Sequence, residues 1–242
     1  MTIEFRSQMQ ASFPGSMPVN DYLDRLRATI APHGFTTGTT LPLVSICRDE
    51  LTTSFFAKVQ EQWGPAFTLA GLGGVPALGR TGWGAAFSHI PNTDGRGHVL
   101  VLGFPHIGIE DDGEIGVTLR EGQDVATSTC GALVSIFNRA QAGDLPTEVD
   151  LDDFEATKLA LRLVDPADPP ASLVDLTIAA LDALEVDLWA AIDQQEIWKH
   201  HDVTVWCGVQ IHGHGGKDWI WPRDAWLTGA DGTRRQVVQF GL

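Results

Sequence analysis

The sequence predicts a single α/β domain with a mainly parallel sheet flanked by helices. Short apolar runs alternate with longer segments of helical periodicity, a pattern typical of helices that cover both faces of a parallel sheet. The 242 residues suffice for one large domain, and an apolar content of 43% provides a sizeable core. No repeat or linker marks a boundary in the sequence. Residues 1–242 are therefore assigned to one domain, with an acidic helical section at about 150–195.

The individual elements follow from hydrophobic periodicity and from capping residues. Apolar side chains three and four residues apart predict helices over 20–31, 52–62, 131–142, 151–163 and 172–193. Continuous apolar runs predict buried strands at 41–47 and 98–103. Asn20 is expected to cap the first of these helices. The carboxyl-terminal part reads as a strand, DVTVWCGVQIH, a loop through DWIWPRD, and a strand, RRQVVQFGL.

Charge and cysteine content exclude several classes of protein. With 16 basic and 31 acidic side chains the net charge is −15, which argues against nucleic acids and anionic membranes as partners. The amino terminus lacks the pattern of a signal peptide, and no apolar stretch approaches the length of a membrane span. Three widely spaced cysteines argue against a disulfide framework. We therefore expect a cytoplasmic protein with reduced thiols.

The glycine-rich segment GVPALGRT, residues 74–81, resembles a phosphate-binding loop in which Arg80 replaces the lysine. No strand is predicted directly before it, and a guanidinium group is a poor replacement for the compact charge of lysine. Nucleotide binding is therefore not expected. The glycines are interpreted as places where the backbone passes close to a site or to a packed neighbour.

Three residues at the ends of predicted elements have the chemistry of zinc ligands. In LVSICRDEL, Cys47 ends an apolar run; His106 follows a second run, and Cys130 immediately precedes a helix. Their spacing is too wide for a zinc finger, but loops at the ends of neighbouring strands converge in α/β folds. The amino terminus of a helix favours Cys130 as a thiolate. Taken singly, each residue also fits an ordinary place in the core.

A second candidate site lies in WCGVQIHGHGG, which holds Cys207, His212 and His214. Two histidines on one face of a strand can chelate a metal, but Cys207 has the opposite parity and would face away. The glycines that follow indicate that the strand has already ended. The favoured interpretation is an exposed His-Gly-His loop.

Several motifs that occur in a fixed order carry the most specific signal in the sequence. They are CRDEL at 47–51, LAGLGGVPALGRTGWGAAFSHIP at 69–91, LGFPHIGIEDDGEIG at 102–116, TCGAL at 129–133, and GVQIHG at 208–213 with WPRD downstream. In this order they resemble the limiting-CO2-inducible protein B/C family, which is grouped with the beta- and theta-type carbonic anhydrases. The resemblance covers roughly residues 40–135 and 205–225, and the two acidic helices between carry little of it.

This resemblance implies a beta-carbonic-anhydrase-like fold, usually a homodimer, with one Zn²⁺ per chain. The zinc ligands it implies are Cys47, His106 and Cys130. The implied activity is that of a carbonic anhydrase, a lyase that reversibly hydrates CO2 to bicarbonate by means of zinc-bound hydroxide.

The resemblance also assigns roles to residues around the zinc ligands. Asp49 is expected to be the carboxylate of an aspartate–arginine pair. The beta-type enzymes commonly place the arginine two residues later, where this chain has Leu51, so Arg48 is expected in that role and Arg80 is held in reserve. His89 is a candidate proton shuttle, and a structural role fits it equally well.

Two other points are left open by the sequence. Trp83, Phe87 and Phe104 are candidates to line the path of CO2, although core packing is the favoured role for each, and Glu50 is interpreted as a solvated or capping carboxylate. A catalytically silent zinc-containing partner or bicarbonate-binding subunit of the same fold is an alternative function. A zinc hydrolase with a wider pocket is a weaker one.

Overall fold

Helices cover both faces of one mixed sheet in the computed structural model, which describes residues 2–92 and 95–240. The seven α-helices within these ranges are α1 (Ile3–Ser12), α2 (Val19–Ile30), α3 (Thr53–Trp63), α4 (Gly79–Ser88), α5 (Gly131–Ala142), α6 (Phe154–Leu163) and α7 (Leu173–Gln194). The eleven strands in the same ranges are β1 (Met17–Pro18), β2 (Thr40–Ile46), β3 (Phe67–Thr68), β4 (Gly97–Phe104), β5 (His106–Ile109), β6 (Val117–Thr118), β7 (Thr127–Ser128), β8 (His201–Gly213), β9 (Lys217–Pro222), β10 (Ala225–Thr228) and β11 (Arg234–Val238).

The centre of the sheet is parallel and its margin on one side is antiparallel. The strand order is β1-β9-β8-β4-β2-β3, with β10 and β5 also paired to the long strand β8. Strands β3, β2, β4 and β8 run parallel, as do β5 and β8, whereas β9, β10, β1 and β11 join antiparallel. This arrangement confirms the predicted α/β domain with a mainly parallel sheet. It also brings the carboxyl ends of β2 and β4 to one edge, beside the second half of β8.

Alternate side chains of the central strands build two cores, one on each face of the sheet. Leu43 and Val101 pack on the face covered by α5, α6 and α7, while Val44 and Leu102 pack on the opposite face, which α2 and α3 cover. All four side chains are buried. Burial of each such side chain contributes about 1.5–3 kcal/mol relative to exposure, so the centre of the sheet is a rigid platform for the residues at its ends.

Three segments differ from the sequence-based expectations. Helix α1 is not predicted by the sequence; the Thr2 hydroxyl caps it by accepting a hydrogen bond from the Phe5 amide. Asn20 does not cap α2, because that helix begins one residue earlier and the Asn20 amide oxygen accepts a hydrogen bond from Lys58 instead. The segment DWIWPRD is not a loop: most of it forms β9, which pairs antiparallel with β8 and is buried over residues 219–222.

No helix in the described part of the chain combines the length and the apolar character that crossing a bilayer requires.

Candidate metal centre

Three side chains with metal-binding atoms meet where the central strands end. The donor atoms of Cys47, His106 and Cys130 lie within 4.8 Å of one another, and they form the one such group found among the described residues. Cys47 directly follows β2, His106 opens β5 and Cys130 directly precedes α5. The side chains are almost fully buried, with relative exposures of 5%, 0% and 1%. The sequence predicted this convergence from the ends of the strands.

A glycine allows the segment that carries Cys130 to approach the strand that carries His106. A Cβ atom at Gly108 would lie 2.3 Å from the Val117 carbonyl oxygen and 2.4 Å from the Thr129 hydroxyl, which are distances that no side chain tolerates. The backbone is pinned there because the Thr129 amide donates a hydrogen bond to the Gly116 carbonyl at 2.8 Å. Cys130 follows with a left-handed backbone, φ 57°, which turns its sulfur inward before α5 begins.

The two thiols differ in acidity because they share a proton. A hydrogen bond from Cys130 and the neighbouring His106 lower the pKa of Cys47 to about 3, against the opposing effect of burial. The same hydrogen bond and burial raise the pKa of Cys130 well above its usual value. The hydrogen bond between the two thiols therefore favours ionisation of Cys47. The expectation that the amino terminus of α5 favours Cys130 as a thiolate stays a prediction.

The imidazole of His106 has one nitrogen engaged and one free. Its Nδ1 lies 3.0 Å from His212 Nε2, and His212 Nδ1 lies 2.8 Å from a carboxylate oxygen of Asp218. Its buried Nε2 has no hydrogen-bond partner. Burial lowers the pKa of His212, which favours its neutral form. An orphaned imidazole nitrogen beside two thiol sulfurs is the donor set of a zinc site, so the residues present fit this metal.

Asp49 forms the expected ion pair, but with a different arginine. Arg120 Nη2 donates to the Asp49 carboxylate at 3.1 Å, and the exposed fractions of these two side chains are 16% and 11%. The same guanidinium donates to Glu50 at 2.5 Å and to the Thr127 hydroxyl at 2.6 Å. Asp49 is further fixed by the Leu51 amide, which donates to it at 3.1 Å.

The structure corrects the pairing predicted for Arg48. Its guanidinium turns away from Asp49 and binds Glu155 in α6, whose other carboxylate oxygen accepts from the Leu72 amide. Arg48 is exposed and bound to α6, so it does not pair with Asp49. Glu50 is a solvated carboxylate, as expected, with its side chain 69% exposed, and the hydrogen bond from Arg120 lowers its pKa.

The remaining site candidates from the sequence, Arg80 and His89, have other surroundings in the structure. Arg80 lines a separate cavity of about 220 Å³ together with Trp83, at the start of α4. His89 is exposed at the end of α4, where its ring centroid lies 5.5 Å from that of Phe67. The glycine-rich segment before Arg80 follows a 3-10 turn, not a strand, so it lacks the setting of a phosphate-binding loop.

The aromatic candidates for the CO2 path are core residues. Phe104 packs edge-on against Tyr22 and Phe55 on the face of the sheet covered by α2 and α3. Trp83 and Phe87 stack on each other at 5.7 Å, half-buried against the opposite core.

A cleft of about 820 Å³ opens beside the candidate metal centre. Its wall includes Glu50, Arg120, His212, His214 and Asp218. Two residues of this wall contact the centre or its neighbour. His212 contacts the donor residue His106, and Arg120 contacts Asp49.

His212, Asp218 and Arg120 are the residues of this site that sequence reasoning misplaced or missed. His212 is buried on β8 and not on an exposed loop, since that strand continues to Gly213. His214 does lie exposed beyond the end of the strand, where its Nδ1 is 3.0 Å from Glu110. Cys207 is buried and is not part of the donor group, in keeping with its opposite parity.

Fold and donor set together define an α/β protein with a candidate metal centre at the carboxyl ends of parallel strands. A family model described as limiting CO2-inducible proteins B/C, beta carbonic anhydrases, matches residues 16–228. The chain therefore belongs to this carbonic-anhydrase-like family, which confirms the resemblance seen in the sequence motifs.

Solved structures with the same fold agree with this assignment. PtLCIB4, a homolog of the limiting CO2-inducible protein LCIB, is 24% identical, with a TM-score of 0.80 over 95% of this chain and 98% of its own. LCIB itself is 27% identical, with a TM-score of 0.76 over 97% of this chain and 99% of its own. A comparison with curated proteins yields no match.

Proposed function

We propose that this protein is a zinc-dependent carbonic anhydrase that interconverts CO2 and bicarbonate. One observation carries the proposal: two buried cysteines and the unpartnered Nε2 of His106 converge within 4.8 Å, beside an Asp49–Arg120 pair. Membership of a carbonic-anhydrase-like family supports the same reaction. The ligands would be Cys47, His106 and Cys130, with one Zn²⁺ per chain.

The donor set suits zinc in charge as well as in type. Two thiolates and one neutral imidazole balance the charge of Zn²⁺, and three protein ligands are the usual number where a coordination position is kept for substrate. When bound, zinc would supply the Lewis acidity that allows water to ionise near neutral pH. No other group of three or more metal-binding side chains converges in this way in the part of the chain that the structure describes.

Asp49 is proposed to orient the attacking oxygen. Its carboxylate can accept a hydrogen bond from that oxygen and so direct a lone pair towards CO2. A carboxylate this close to the donor atoms can also compete for the metal. The charge-assisted hydrogen bond from Arg120, itself held by Glu50 and Thr127, keeps the carboxylate in the orienting position.

The alternative is a catalytically silent zinc-containing or bicarbonate-binding subunit. The observation in its favour is the burial of all three ligand residues behind Arg120 and His212, which line the cleft while the ligands do not. Against it stands the intact Asp49–Arg120 pair, since a structural zinc site has no use for an orienting carboxylate.

We also propose a cytoplasmic location and a homodimer. Cys47, Cys130 and Cys207 are all free thiols, which a reducing compartment preserves. Leu151 and Phe154, before and at the start of α6, are 85% and 45% exposed, and burial against a second copy would remove this apolar surface from water. Light scattering of the purified protein measures the mass in solution, and a monomer at micromolar concentration would contradict the dimer.

Stopped-flow CO2 hydration on reduced, zinc-loaded protein tests the function, with zinc content measured on the same sample. A rate well above that of buffer, lost on removal of zinc and restored by its return, is the expected result. A full complement of zinc with no rate would reject the enzyme in favour of the silent subunit. The absence of zinc from freshly reduced protein would reject both.

A further inference from the structure

We propose that His212 and Asp218 are positioning residues that fix the tautomer and the orientation of the His106 ring and so raise the affinity of the centre for its metal ion. This inference rests on the metal centre of the proposed function. It adds two residues whose roles neither the family match nor the sequence motifs assign.

The three side chains form one continuous hydrogen-bonded chain inside the protein. His106 Nδ1 and His212 Nε2 are 3.0 Å apart, and their rings stand nearly perpendicular at 88° with centroids 5.1 Å apart. His212 Nδ1 and Asp218 Oδ1 are 2.8 Å apart. Both histidines are buried and the Asp218 side chain is 12% exposed, so water does not replace these contacts easily.

Proton placement along the chain has one solution when both imidazoles are neutral. The ionised Asp218 can only accept, so His212 must carry its proton on Nδ1 and present Nε2 as an acceptor. The proton of His106 must then sit on Nδ1, where it is donated to His212. Nε2 of His106 is left with a free lone pair, in agreement with its lack of a hydrogen-bond partner in the structure. Through His212, the Asp218 carboxylate thus selects the tautomer of His106 that leaves Nε2 able to bind a metal.

Asp218, the last residue of this hydrogen-bonded series, is itself held in place. His212 and Asp218 face each other across the antiparallel pair of β8 and β9, so two paired strands set their separation. The second oxygen of Asp218 accepts from the Ser54 hydroxyl at 3.1 Å and from the Gln210 amide at 3.4 Å. A fixed carboxylate behind a metal-binding histidine orients the ring and increases its basicity, and loss of such a partner typically weakens metal binding about 10–100-fold.

Zinc affinity, measured by competition with a chelator, tests the inference independently of catalysis. His212→Phe fills the space without accepting a hydrogen bond, and we expect it to raise the dissociation constant about 10–100-fold. His212→Gln keeps a carbonyl oxygen that can accept from His106 Nδ1, so we expect it to recover part of the lost affinity. Asp218→Asn should cause a smaller loss, because the amide oxygen still accepts from His212.

Asp202→Asn is the matched control, since it removes a histidine-facing carboxylate at the other end of β8. It should leave zinc affinity unchanged. The absorption spectrum of the cobalt-substituted protein gives a second readout, because a reoriented imidazole changes the ligand field. Far-UV circular dichroism identifies any variant that fails to fold, and the two remaining substitutions then carry the test.

Two results would overturn the inference and leave the metal centre intact. One is an unchanged zinc affinity in His212→Phe. The other is an equal loss in His212→Phe and His212→Gln, which would point to packing and not to the hydrogen bond. Failure of the metal centre itself looks different: the unsubstituted protein would bind no zinc, or Cys130→Ser would bind it as tightly, and the inference would fall with it.

Discussion

The two ends of the β4–β8 region each place a histidine beside an aspartate, with different outcomes. At the amino end His98 Nε2 lies 3.7 Å from Asp202, whose carboxylate also accepts from Arg96 at 2.9 Å. At the carboxyl end His212 lies 2.8 Å from Asp218, which has no arginine partner among the residues described. The amino-end side chains are 14% and 31% exposed, those at the carboxyl end 3% and 12%.

Neither a His–Asp pair nor an unpartnered imidazole nitrogen is therefore enough to define a metal site. His98 Nδ1 and His201 Nδ1 at the amino end are buried without partners, as is His106 Nε2 at the carboxyl end. Only the imidazole at the carboxyl end, that of His106, has two sulfur atoms close to it among the described residues. Two features distinguish the candidate centre from an ordinary ion-pair network. Soft donor atoms converge there, and the Asp218 carboxylate binds a histidine instead of an arginine.

The largest expected effect comes from removing a sulfur atom at the carboxyl end. Cys130→Ser should reduce zinc from about one ion per chain to a small fraction, because a neutral hydroxyl is a poor zinc ligand. Metal analysis of the purified protein measures it. Cys207→Ala is the control, since it deletes a buried thiol that lies outside the donor group and should keep its zinc. Equal zinc in both variants would discredit the ligand set.

The arginine that binds the aspartate can be removed at each end of the sheet, with different expected results. Arg120→Ala should retain zinc and lower CO2 hydration about 100-fold or more, since Asp49 is no longer held in the orienting position. Arg96→Ala cuts the equivalent bond to Asp202 and should leave hydration unchanged, at a cost of at most about 1 kcal/mol in stability. Stopped-flow rates and zinc content give both answers. Full activity in Arg120→Ala would remove its proposed role.

Zinc removal should loosen one end of the sheet and not the other. At a free zinc concentration about 100 times the dissociation constant, bound metal stabilises the folded chain by about 2.7 kcal/mol. Chelation should therefore lower the melting temperature. It should also speed amide hydrogen exchange in 106–109 and 129–133 while 97–99 stays protected. Uniform acceleration at both ends would mean that the metal stabilises the whole domain and not its own site.

The smallest expected effect is a pH response at the amino end. Burial lowers the pKa of His201 from 6.5, and the neighbouring His200, Arg96 and His98 add to this effect while Asp202 opposes it. Because the folded state binds this proton less well than the unfolded chain, His201 contributes stability above pH 6.5 that is lost as the pH falls through its folded-state pKa.

His201→Gln should accordingly flatten the acid side of the stability curve, by a change in melting temperature of about 2 °C or less. Thermal unfolding between about pH 7.5 and 5.5 measures this difference, with His89→Gln as the exposed control. A pH dependence identical to that of the unsubstituted protein would contradict the assignment.

The sequence predicts the parts of the site that lie at the ends of strong periodic elements. Helix α5 begins at Gly131 as its pattern indicated, and β2 and β4 end within a residue of the predicted positions. Cys47 and Cys130 are placed by these elements. The position of Cys47 follows from the general geometry of parallel sheets, whereas Cys130 reaches it through the close approach at Gly108.

The partners of those residues are set by tertiary contacts that leave no local pattern. Arg120 lies on the connection between β6 and β7, far from Asp49 in sequence. Gly213, Gly215 and Gly216 indicate the end of a strand, so the sequence predicts a loop at His212. Instead, β8 continues to Gly213. The glycine permits a close approach, since a Cβ atom there would lie 2.6 Å from the ring of Trp219. A glycine that marks a close approach and one that ends a strand look the same in sequence.

The left-handed backbone at Cys130 makes the candidate ligand a liability for the apo fold. A side chain at φ 57° costs about 1–3 kcal/mol relative to glycine, so Cys130→Gly should relax the metal-free chain while it abolishes the site. Natural selection for the centre and selection for stability therefore pull this one position in opposite directions. In a related protein that keeps Cys47 and His106, a glycine at position 130 would therefore indicate that the metal centre has been lost in favour of stability.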